Sequence, residues 1–191
     1  NRLLQGDVGS GKTLVAAEAT VIAVENGYQV AFLAPTEILA AQHHLSLQRF
    51  YRPLGYSVGL MMGSQSPHEK SQIKKLTSEG LLQILVGTHA LLEKDVEFAK
   101  LGLVIIDEQH RFGVMQRLSL RKKGPAPDVL VMTATPIPRT LALTIYGDLD
   151  VSIIDALPPG RKPILTRQHK QADCKTVYEK VRQQLASGRQ A

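Results

Sequence analysis

A glycine-rich segment near the start of the chain, QGDVGSGKT at residues 5–13, has the residue types and spacing of a phosphate-binding loop. From Gly6 to Thr13 it fits the pattern G-x-x-x-x-G-K-[ST] at every fixed position. Glycines let backbone N–H groups turn toward phosphate oxygens, and the start of a helix adds the positive end of its dipole. The alternative is a structural strand–turn–helix connection. The flanks favour phosphate binding, because Leu3-Leu4 is typical of a buried strand and Lys12 of a helix start.

Two polar side chains after the last glycine of this loop suit the binding of a nucleotide. Lys12 should reach the β- and γ-phosphates, and the hydroxyl of Thr13 should ligate Mg²⁺. The predicted phosphate site comprises Gly6, Asp7, Val8, Gly9, Ser10, Gly11, Lys12 and Thr13.

An acidic pair, Asp107-Glu108, directly follows the apolar run Leu103–Ile106. A phosphate-binding loop needs an acidic partner at the end of another buried strand, and this pair stands where such a partner would lie. We expect Asp107 to hold Mg²⁺, directly or through water, and Glu108 to polarise the attacking water. Two carboxylates at an ordinary strand end are the alternative.

The rest of the chain supplies the elements that must position these groups. Strand-like runs alternate with helical segments, which predicts βαβ units and an α/β fold with a mainly parallel central sheet flanked by helices. The predicted strands are Arg2–Gln5, Gln29–Leu33, Ser57–Met62, Gln83–Val86, Leu101–Ile106, Val129–Met132 and Val151–Ile154. The predicted helices are Lys12–Glu25, Thr36–Phe50 and Pro67–Glu79, and the second places Ile38, Ala41 and Leu45 at three- and four-residue spacing.

A proline-rich segment suggests where the main domain ends. Three prolines fall within Leu157–Pro163, and proline cannot continue a helix or a central strand. We therefore predict a main domain at residues 1–157, with a linker and the start of a further domain at 158–191. The first residue, Asn1, is not an initiator methionine, which favours a chain cut from a longer protein.

Composition excludes several classes of function. No apolar run approaches the 18 or so residues that span a bilayer, and no signal peptide is recognisable, so we expect no membrane partner. The single cysteine, Cys174, allows no internal disulfide and favours the cytoplasm.

His43-His44 lack metal-site spacing and are predicted to lie on an exposed helix surface. Lys and Arg outnumber Asp and Glu by 23 to 17, a moderate excess that indicates a nucleic-acid partner only weakly.

The neighbours of the acidic pair resemble those of a known class of motor protein. DEQH at 107–110 followed by TATP at 133–136 resembles a superfamily 2 helicase or translocase. The longer runs DEQHRFGVMQR (107–117) and MTATPIPRTLAL (132–143) resemble the RecG family of bacterial ATP-dependent DNA translocases. GDVGSGKT, APTEILAAQH (34–43) and VGTHALL (86–92) follow in that family's order. The Mfd family shares HRFGV and TATPIPRT, but it typically has Glu at position 109, so Gln109 and Gln116-Arg117 favour RecG.

This resemblance implies the first RecA-like motor lobe of such a helicase, with ATP and Mg²⁺ as cofactors. It implies that Gln109 and His110 adjoin the nucleotide and that His110 connects the nucleotide site to a coupling motif. The coupling motif is Thr133, Ala134 and Thr135, and the alternative for its threonines is to cap a helix after Pro138. The loops that would contact the DNA backbone are Pro35-Thr36 and Gly87-Thr88-His89, and the alternative is that they are ordinary helix caps.

The resemblance also implies a function for the longer protein. Such a helicase couples ATP hydrolysis to translocation on branched or forked DNA, and it remodels stalled forks and Holliday junctions in recombination and repair. A second RecA-like lobe and a wedge domain of the same full-length protein would be its partners, with a monomer favoured. Residues 1–191 alone should then be nearly inert as an ATPase, because the arginine finger would come from the second lobe. The adenine-recognition residues would also lie outside this range.

Three alternatives to this function stay open. The first is the corresponding lobe of Mfd, whose partner is RNA polymerase. The second is a small-molecule kinase with a phosphate-binding loop, and the third is a nucleotide-dependent structural module without turnover. The presence of Glu108 disfavours the third, because such a module needs no residue to activate water.

Overall fold

The computed structural model describes residues 1–107, 123–135, 149–156, 166 and 168–189. The chain divides into two compact units, Asn1–Pro158 and Pro159–Ala191.

Seven strands of the first unit form one sheet in which every described pairing is parallel. The strands are β1 (Arg2–Gly6), β2 (Gln29–Leu33), β3 (Val58–Met61), β4 (Ile84–Gly87), β5 (Leu101–Asp107), β6 (Asp128–Thr133) and β7 (Asp150–Ile154). Their spatial order is β3-β4-β2-β5-β6-β1-β7. The predicted α/β fold with a mainly parallel central sheet is confirmed.

Among the described residues of this unit, three α-helices lie on the two faces of the sheet. They are α1 (Lys12–Glu25), α2 (Glu37–Tyr51) and α3 (Pro67–Ser78). The connections β1–α1–β2 and β2–α2–β3 run in one direction along the sheet, and β3–α3–β4 runs in the other. Because parallel crossovers are right-handed, α1 and α2 lie on one face and α3 on the other.

The central strands are buried on both sides. Every residue of β2 and β4 is buried, as expected for parallel strands between layers of helices. Ala16 of α1 and Leu47 of α2 join the core on one face, and Ile73 of α3 packs against the core on the other. The two helices that share a face are also joined directly, because the hydroxyl of Tyr51 donates to the carbonyl oxygen of Ala17 over 2.9 Å.

Helix α2 turns a different side to the sheet than its apolar spacing suggests. Ile38 and Leu45 are 76% and 54% exposed, whereas Ala40, Leu47 and Tyr51 are buried. The helix carries two apolar stripes. The stripe with Ala40, Leu47 and Tyr51 packs on the strands. Spacing alone identifies the helix without identifying which stripe is buried.

The prediction that His43-His44 lie on an exposed helix surface is wrong. Both residues are half-buried, because they fall between Ala40 and Leu47 on the packed side of α2. His44 Nε2 lies 3.3 Å from the carbonyl oxygen of Val58. His43 contacts the end of β5, as described below.

The second unit contains a short 3₁₀ segment, Gln171–Asp173, followed by helix α4 (Cys174–Ala186), which buries none of its residues. None of the helices in the described parts of the chain has the length and apolar character that crossing a membrane requires. Among the described residues there is also no cluster of three or more His, Cys, Asp or Glu that could hold a metal ion.

Candidate nucleotide-binding site

The predicted site residues that the structure describes lie at one edge of the sheet, where the parallel strands end. Asp107 is the last residue of β5, and its register partner on β6 is Met132. Met132 in turn is the partner of Leu4 on β1, two residues before the strand ends at Gly6. The phosphate-binding loop after β1 and the carboxylate at the end of β5 are therefore at the same edge, with β6 between them.

The backbone of this loop requires glycine at several positions. Gly9 and Gly11 have φ values of 80° and 98°, in the left-handed region that residues with a side chain avoid. At Gly6 a Cβ atom would lie 2.5 Å from Ser10 Oγ and 3.1 Å from Ile154 Cβ. The conformation of the loop itself therefore requires glycine at these positions, in addition to the predicted role of the glycines in phosphate binding.

The side chain of Lys12 closes the loop. Its Nζ atom donates to the carbonyl oxygens of Gly6, over 2.8 Å, and Asp7, over 2.9 Å. The backbone N–H of Ser10 donates to the same Asp7 oxygen over 3.1 Å. The carboxylate of Asp7 accepts from the backbone N–H of Val8 over 2.7 Å, and the Val8 side chain is 70% exposed. These bonds hold the lysine ammonium against the backbone at the start of the loop.

The start of α1 leaves its positive end uncompensated. Its N-cap is Gly11, which has no side chain to accept from the first N–H groups, and no acidic residue lies in the first turn. Thr13, half-buried in that first turn, places a hydroxyl at the same end of the helix. A helix N-terminus of this kind attracts anions.

One polar atom inside the loop lacks a protein partner. Ser10 Oγ is buried and makes no hydrogen bond within the described part of the chain. A buried hydroxyl without a partner costs free energy, of order 1–3 kcal/mol. A phosphate oxygen in the loop would supply the missing acceptor, so the residues present fit a phosphate group.

Asp107 is held by His43, a residue outside the predicted site. Its Oδ2 atom lies 2.8 Å from Nε2 of His43, and the two side chains are only 15% and 13% exposed. The His43 ring also packs against Phe32 of β2, with 4.7 Å between ring centroids. No local spacing could reveal this pair, because 64 positions separate the two residues.

Three of the predicted nucleotide-site residues, Glu108, Gln109 and His110, lie outside the described residues, as does Pro138. The predicted coupling motif at the end of β6 is described. Thr133 is 2% exposed, and its hydroxyl accepts from the backbone N–H of Thr135 over 3.1 Å. Ala134 between them is half-buried and Thr135 is exposed. The coupling role itself stays a prediction.

A backbone hydrogen bond joins the two loops that are predicted to contact DNA. The N–H of Ala34 donates to the carbonyl oxygen of Gly87 over 2.9 Å, which places Pro35-Thr36 beside Thr88-His89. Thr36 is the N-cap of α2, and its hydroxyl accepts from Leu39 N over 3.3 Å. The helix-cap alternative is therefore correct for Thr36 and compatible with a further contact. Thr88 makes no such cap, and its Oγ1 atom is buried without a hydrogen bond among the described residues.

A third loop, after β3, is attached to these two through Glu37. The carboxylate of Glu37 accepts from the backbone N–H of Ser64 over 2.9 Å and from its hydroxyl over 2.7 Å. These bonds stabilise the charged form and hold the pKa of Glu37 below its usual value. The loops after β2 and β3 are therefore tied together by an ionised carboxylate.

An open groove of about 560 Å³ lies at the opposite edge of the same unit. It is lined by Ile22 near the end of α1 and by Tyr28, Leu101, Leu103 and Pro125 around the starts of β2, β5 and β6. Because the phosphate-binding loop and Asp107 are at the other ends of the strands, this groove is not part of the candidate site.

Residues 1–144 match the family model of the DEAD/DEAH box helicases. The chain belongs to the DEAD/DEAH box helicase family. Within that family, it is similar along nearly its whole length to proteins named ATP-dependent DNA helicase RecG. It is 55% identical to the RecG of Aquifex aeolicus over 190 residues, which are 98% of this chain and 24% of that protein. It is 53% identical to the RecG of Bacillus subtilis over 191 residues, 100% of this chain and 28% of that protein.

The chain thus spans about a quarter of the length of these curated relatives. Solved structures agree with the sequence match. The structure of RecG bound to a three-way DNA junction superposes with a TM-score of 0.78 at 48% identity, over 98% of this chain and 25% of that one. The Hef helicase domain of Pyrococcus furiosus matches with a TM-score of 0.61 at 22% identity, over 82% of this chain and 35% of that one, which shows the fold alone. The RecA-like fold and the resemblance to RecG are confirmed.

Proposed function

We propose that this chain is an ATP-binding motor lobe of a RecG-like DNA helicase, which couples ATP hydrolysis to movement along DNA. One observation carries the proposal: the loop Gly6–Thr13 shares a sheet edge with Asp107, and its Ser10 hydroxyl has no hydrogen-bond partner among the described residues. The family match and the RecG similarity support this function over other uses of a phosphate-binding loop.

Lys12 and the loop backbone bind the phosphates of ATP. In the structure the lysine ammonium donates to two neutral carbonyl oxygens, those of Gly6 and Asp7. A phosphate oxygen is a charged acceptor, and charge-assisted hydrogen bonds are roughly twice as strong as neutral ones. Lys12 therefore exchanges its contacts within the loop for the β- and γ-phosphates when ATP enters, and the hydroxyl of Ser10 gains a partner.

Thr13 and Asp107 hold Mg²⁺. Hydroxyl and carboxylate oxygens are the ligands that Mg²⁺ prefers, together with phosphate oxygens and water. Bound there, Mg²⁺ would supply positive charge that stabilises the phosphates of ATP during transfer. Glu108, the next residue after Asp107, polarises the attacking water, and Gln109 and His110 adjoin the nucleotide. His110 passes the nucleotide state to Thr133, Ala134 and Thr135.

DNA binds at the loops beside the nucleotide site. Pro35-Thr36 and Gly87-Thr88-His89 offer backbone N–H groups and hydroxyls at one place on the sheet edge, which suits contacts to phosphates. The similar RecG was solved bound to a three-way junction. We infer branched or forked DNA as the substrate here too, in the remodelling of stalled forks and Holliday junctions, within the cytoplasm.

The longer protein supplies what a single lobe lacks. A second RecA-like lobe, which begins within residues 158–191, brings an arginine finger to the γ-phosphate, and a wedge domain splits the fork. Of the possible oligomeric states, we favour a monomer. The corresponding lobe of Mfd is the nearest alternative, but relatives 52–58% identical to this chain are named RecG, which favours the RecG-like function.

Steady-state ATP hydrolysis by the full-length protein tests this proposal. A three-way junction should stimulate hydrolysis well above single-stranded DNA of the same nucleotide content. Lys12→Ala serves as the control for contaminating ATPase, because it removes the phosphate contact. A rate of hydrolysis that DNA does not change and that depends on an added metabolite would support the small-molecule kinase and contradict the proposal. Stimulation that requires RNA polymerase would support Mfd.

A further inference from the structure

Helix α2 reaches the predicted metal ligand directly, through His43. The Nε2 atom of His43 lies 2.8 Å from Asp107 Oδ2. A carboxylate at a metal site acts as an acceptor, so Nε2 carries the hydrogen and donates it. The contact joins α2 to the end of β5, two elements that are far apart in the sequence.

The pair is built into the packed side of the helix. His43 and Asp107 are 13% and 15% exposed, and few water molecules can compete for the hydrogen bond between them. On its other side the His43 ring meets Phe32, a fully buried residue of β2, with an angle of 42° between the rings. The ring is therefore held from both sides, by the strand below and by the carboxylate.

This hydrogen bond limits the rotation of the carboxylate. With Oδ2 engaged by a fixed donor, the remaining lone pairs of Asp107 point in a defined direction. Groups that hydrogen-bond to metal-ligating side chains orient them, and losing such a group typically weakens metal binding 10- to 100-fold. His43 is such a group, because it hydrogen-bonds to Asp107, the predicted metal ligand.

The same helix begins at a predicted DNA-contact loop. Thr36 is the N-cap of α2, and His43 follows seven residues later, about two turns along the helix. A displacement of α2 by a ligand at the Pro35-Thr36 loop would move the hydrogen-bond donor of Asp107. The helix is thus a rigid connection between the DNA-contact edge and the metal ligand.

We propose that His43 is a positioning residue that orients the carboxylate of Asp107 for Mg²⁺, and that through it α2 links the DNA-contact loop to the metal site. The proposal rests on the function proposed above, because it takes Asp107 as the metal ligand. It assigns a role to a residue outside the predicted nucleotide and coupling motifs.

The orientation of Asp107 by His43 can be tested by equilibrium binding. The affinity of a fluorescent ADP analogue for the full-length protein is measured across a titration of Mg²⁺. His43→Leu should need on the order of 10-fold more Mg²⁺ to reach half of the Mg²⁺-dependent gain in affinity. Its affinity in EDTA should match the wild type, which shows that the fold and the phosphate loop are intact. His43→Gln keeps an N–H donor at a similar reach and should recover most of the loss. His44→Leu is the matched control, since His44 contacts the backbone at Val58 instead, and it should behave as wild type.

An unchanged Mg²⁺ requirement in His43→Leu would overturn the proposal, and so would an equal loss in His43→Gln and His43→Leu. Absence of any Mg²⁺-dependent gain in the wild type would instead overturn the proposed function itself.

The link through α2 between the DNA-contact loop and the metal site is tested by the ratio of ATP hydrolysis with and without a three-way junction at saturating Mg²⁺. This ratio should fall several-fold in His43→Leu and recover in His43→Gln, and an unchanged ratio in His43→Leu would overturn the link.

Discussion

The ammonium of Lys12 lies 2.8 Å from the carbonyl oxygen of Gly6, the last residue of β1. The contact joins the next-to-last residue of the phosphate-binding loop to its first. The loop is closed around the side chain that should bind the nucleotide, and the Ser10 hydroxyl beside it has no partner in the described residues. A phosphate group would therefore enter a loop whose backbone shape already exists, and the Lys12 side chain would change its partners. Pre-formed sites of this kind lose little free energy to ordering on binding.

Lys12→Ala should weaken ATP binding by roughly 10- to 100-fold, the equivalent of a charge-assisted hydrogen bond of about 1.5–3 kcal/mol. Within the first unit, no other basic side chain is predicted to reach the β- and γ-phosphates. Titration of a fluorescent ATP analogue measures the loss. The fold should be retained, because the deleted bonds connect parts of one short loop. Wild-type affinity in this variant would mean that Lys12 does not contact the phosphates.

Glu108→Gln should leave ATP affinity within about two-fold of wild type and lower the turnover of the full-length protein by roughly 10²–10⁴, the usual contribution of a general base. The amide keeps the size of the side chain and removes its basicity. Binding and kcat are measured separately. If Glu108→Gln and Lys12→Ala lost affinity equally, the roles assigned to the two residues would be wrong.

Thr133→Ala should hydrolyse ATP and yet unwind DNA poorly, if the motif at the end of β6 relays the nucleotide state. The Thr133 hydroxyl accepts from Thr135 N, so its loss should loosen the turn that carries the motif. Thr133→Ser keeps the hydroxyl and is the matched control. The ratio of junction unwinding to hydrolysis decides the question. A normal ratio together with lower thermal stability would favour a purely structural role.

The contact between Glu37 and Ser64 should be lost in acid. Because the pKa of Glu37 is lowered in the folded protein, the contact stabilises the fold fully above the ordinary glutamate pKa. That contribution disappears as the pH falls through the lowered value. The chemical shift of the Ser64 amide, followed by NMR, should titrate in this acidic window in the wild type and stay flat in Glu37→Gln. A flat wild-type profile would contradict the contact.

Much of the first unit could be predicted from local sequence. Gln29–Leu33 and Lys12–Glu25 begin and end where the apolar pattern placed them. Parallel strands read as continuous apolar runs, and the glycine-rich loop indicates the helix that follows. Asp107 could be placed at the same edge as this loop because both follow buried strands of one parallel sheet.

What could not be predicted depends on contacts between distant residues. The two apolar stripes of α2 are locally equivalent, and only the packed structure shows that Ala40 and Leu47, not Ile38 and Leu45, meet the sheet. That orientation also buries His43 and brings it to Asp107. A histidine in an amphipathic helix has no sequence signal that distinguishes this place from an exposed one.

If residues 1–191 belong to one half of a two-lobed motor, their ATP hydrolysis in isolation should fall far below that of the full-length protein. An arginine finger contributes on the order of 10³–10⁵ in rate in related phosphoryl transfers, and here it should come from the second lobe. We expect weak but measurable MgATP binding by residues 1–191, with little turnover and at most slight stimulation by a three-way junction. Robust junction-stimulated hydrolysis by these residues, equal to that of the full-length protein and abolished by Lys12→Ala, would contradict the two-lobed motor.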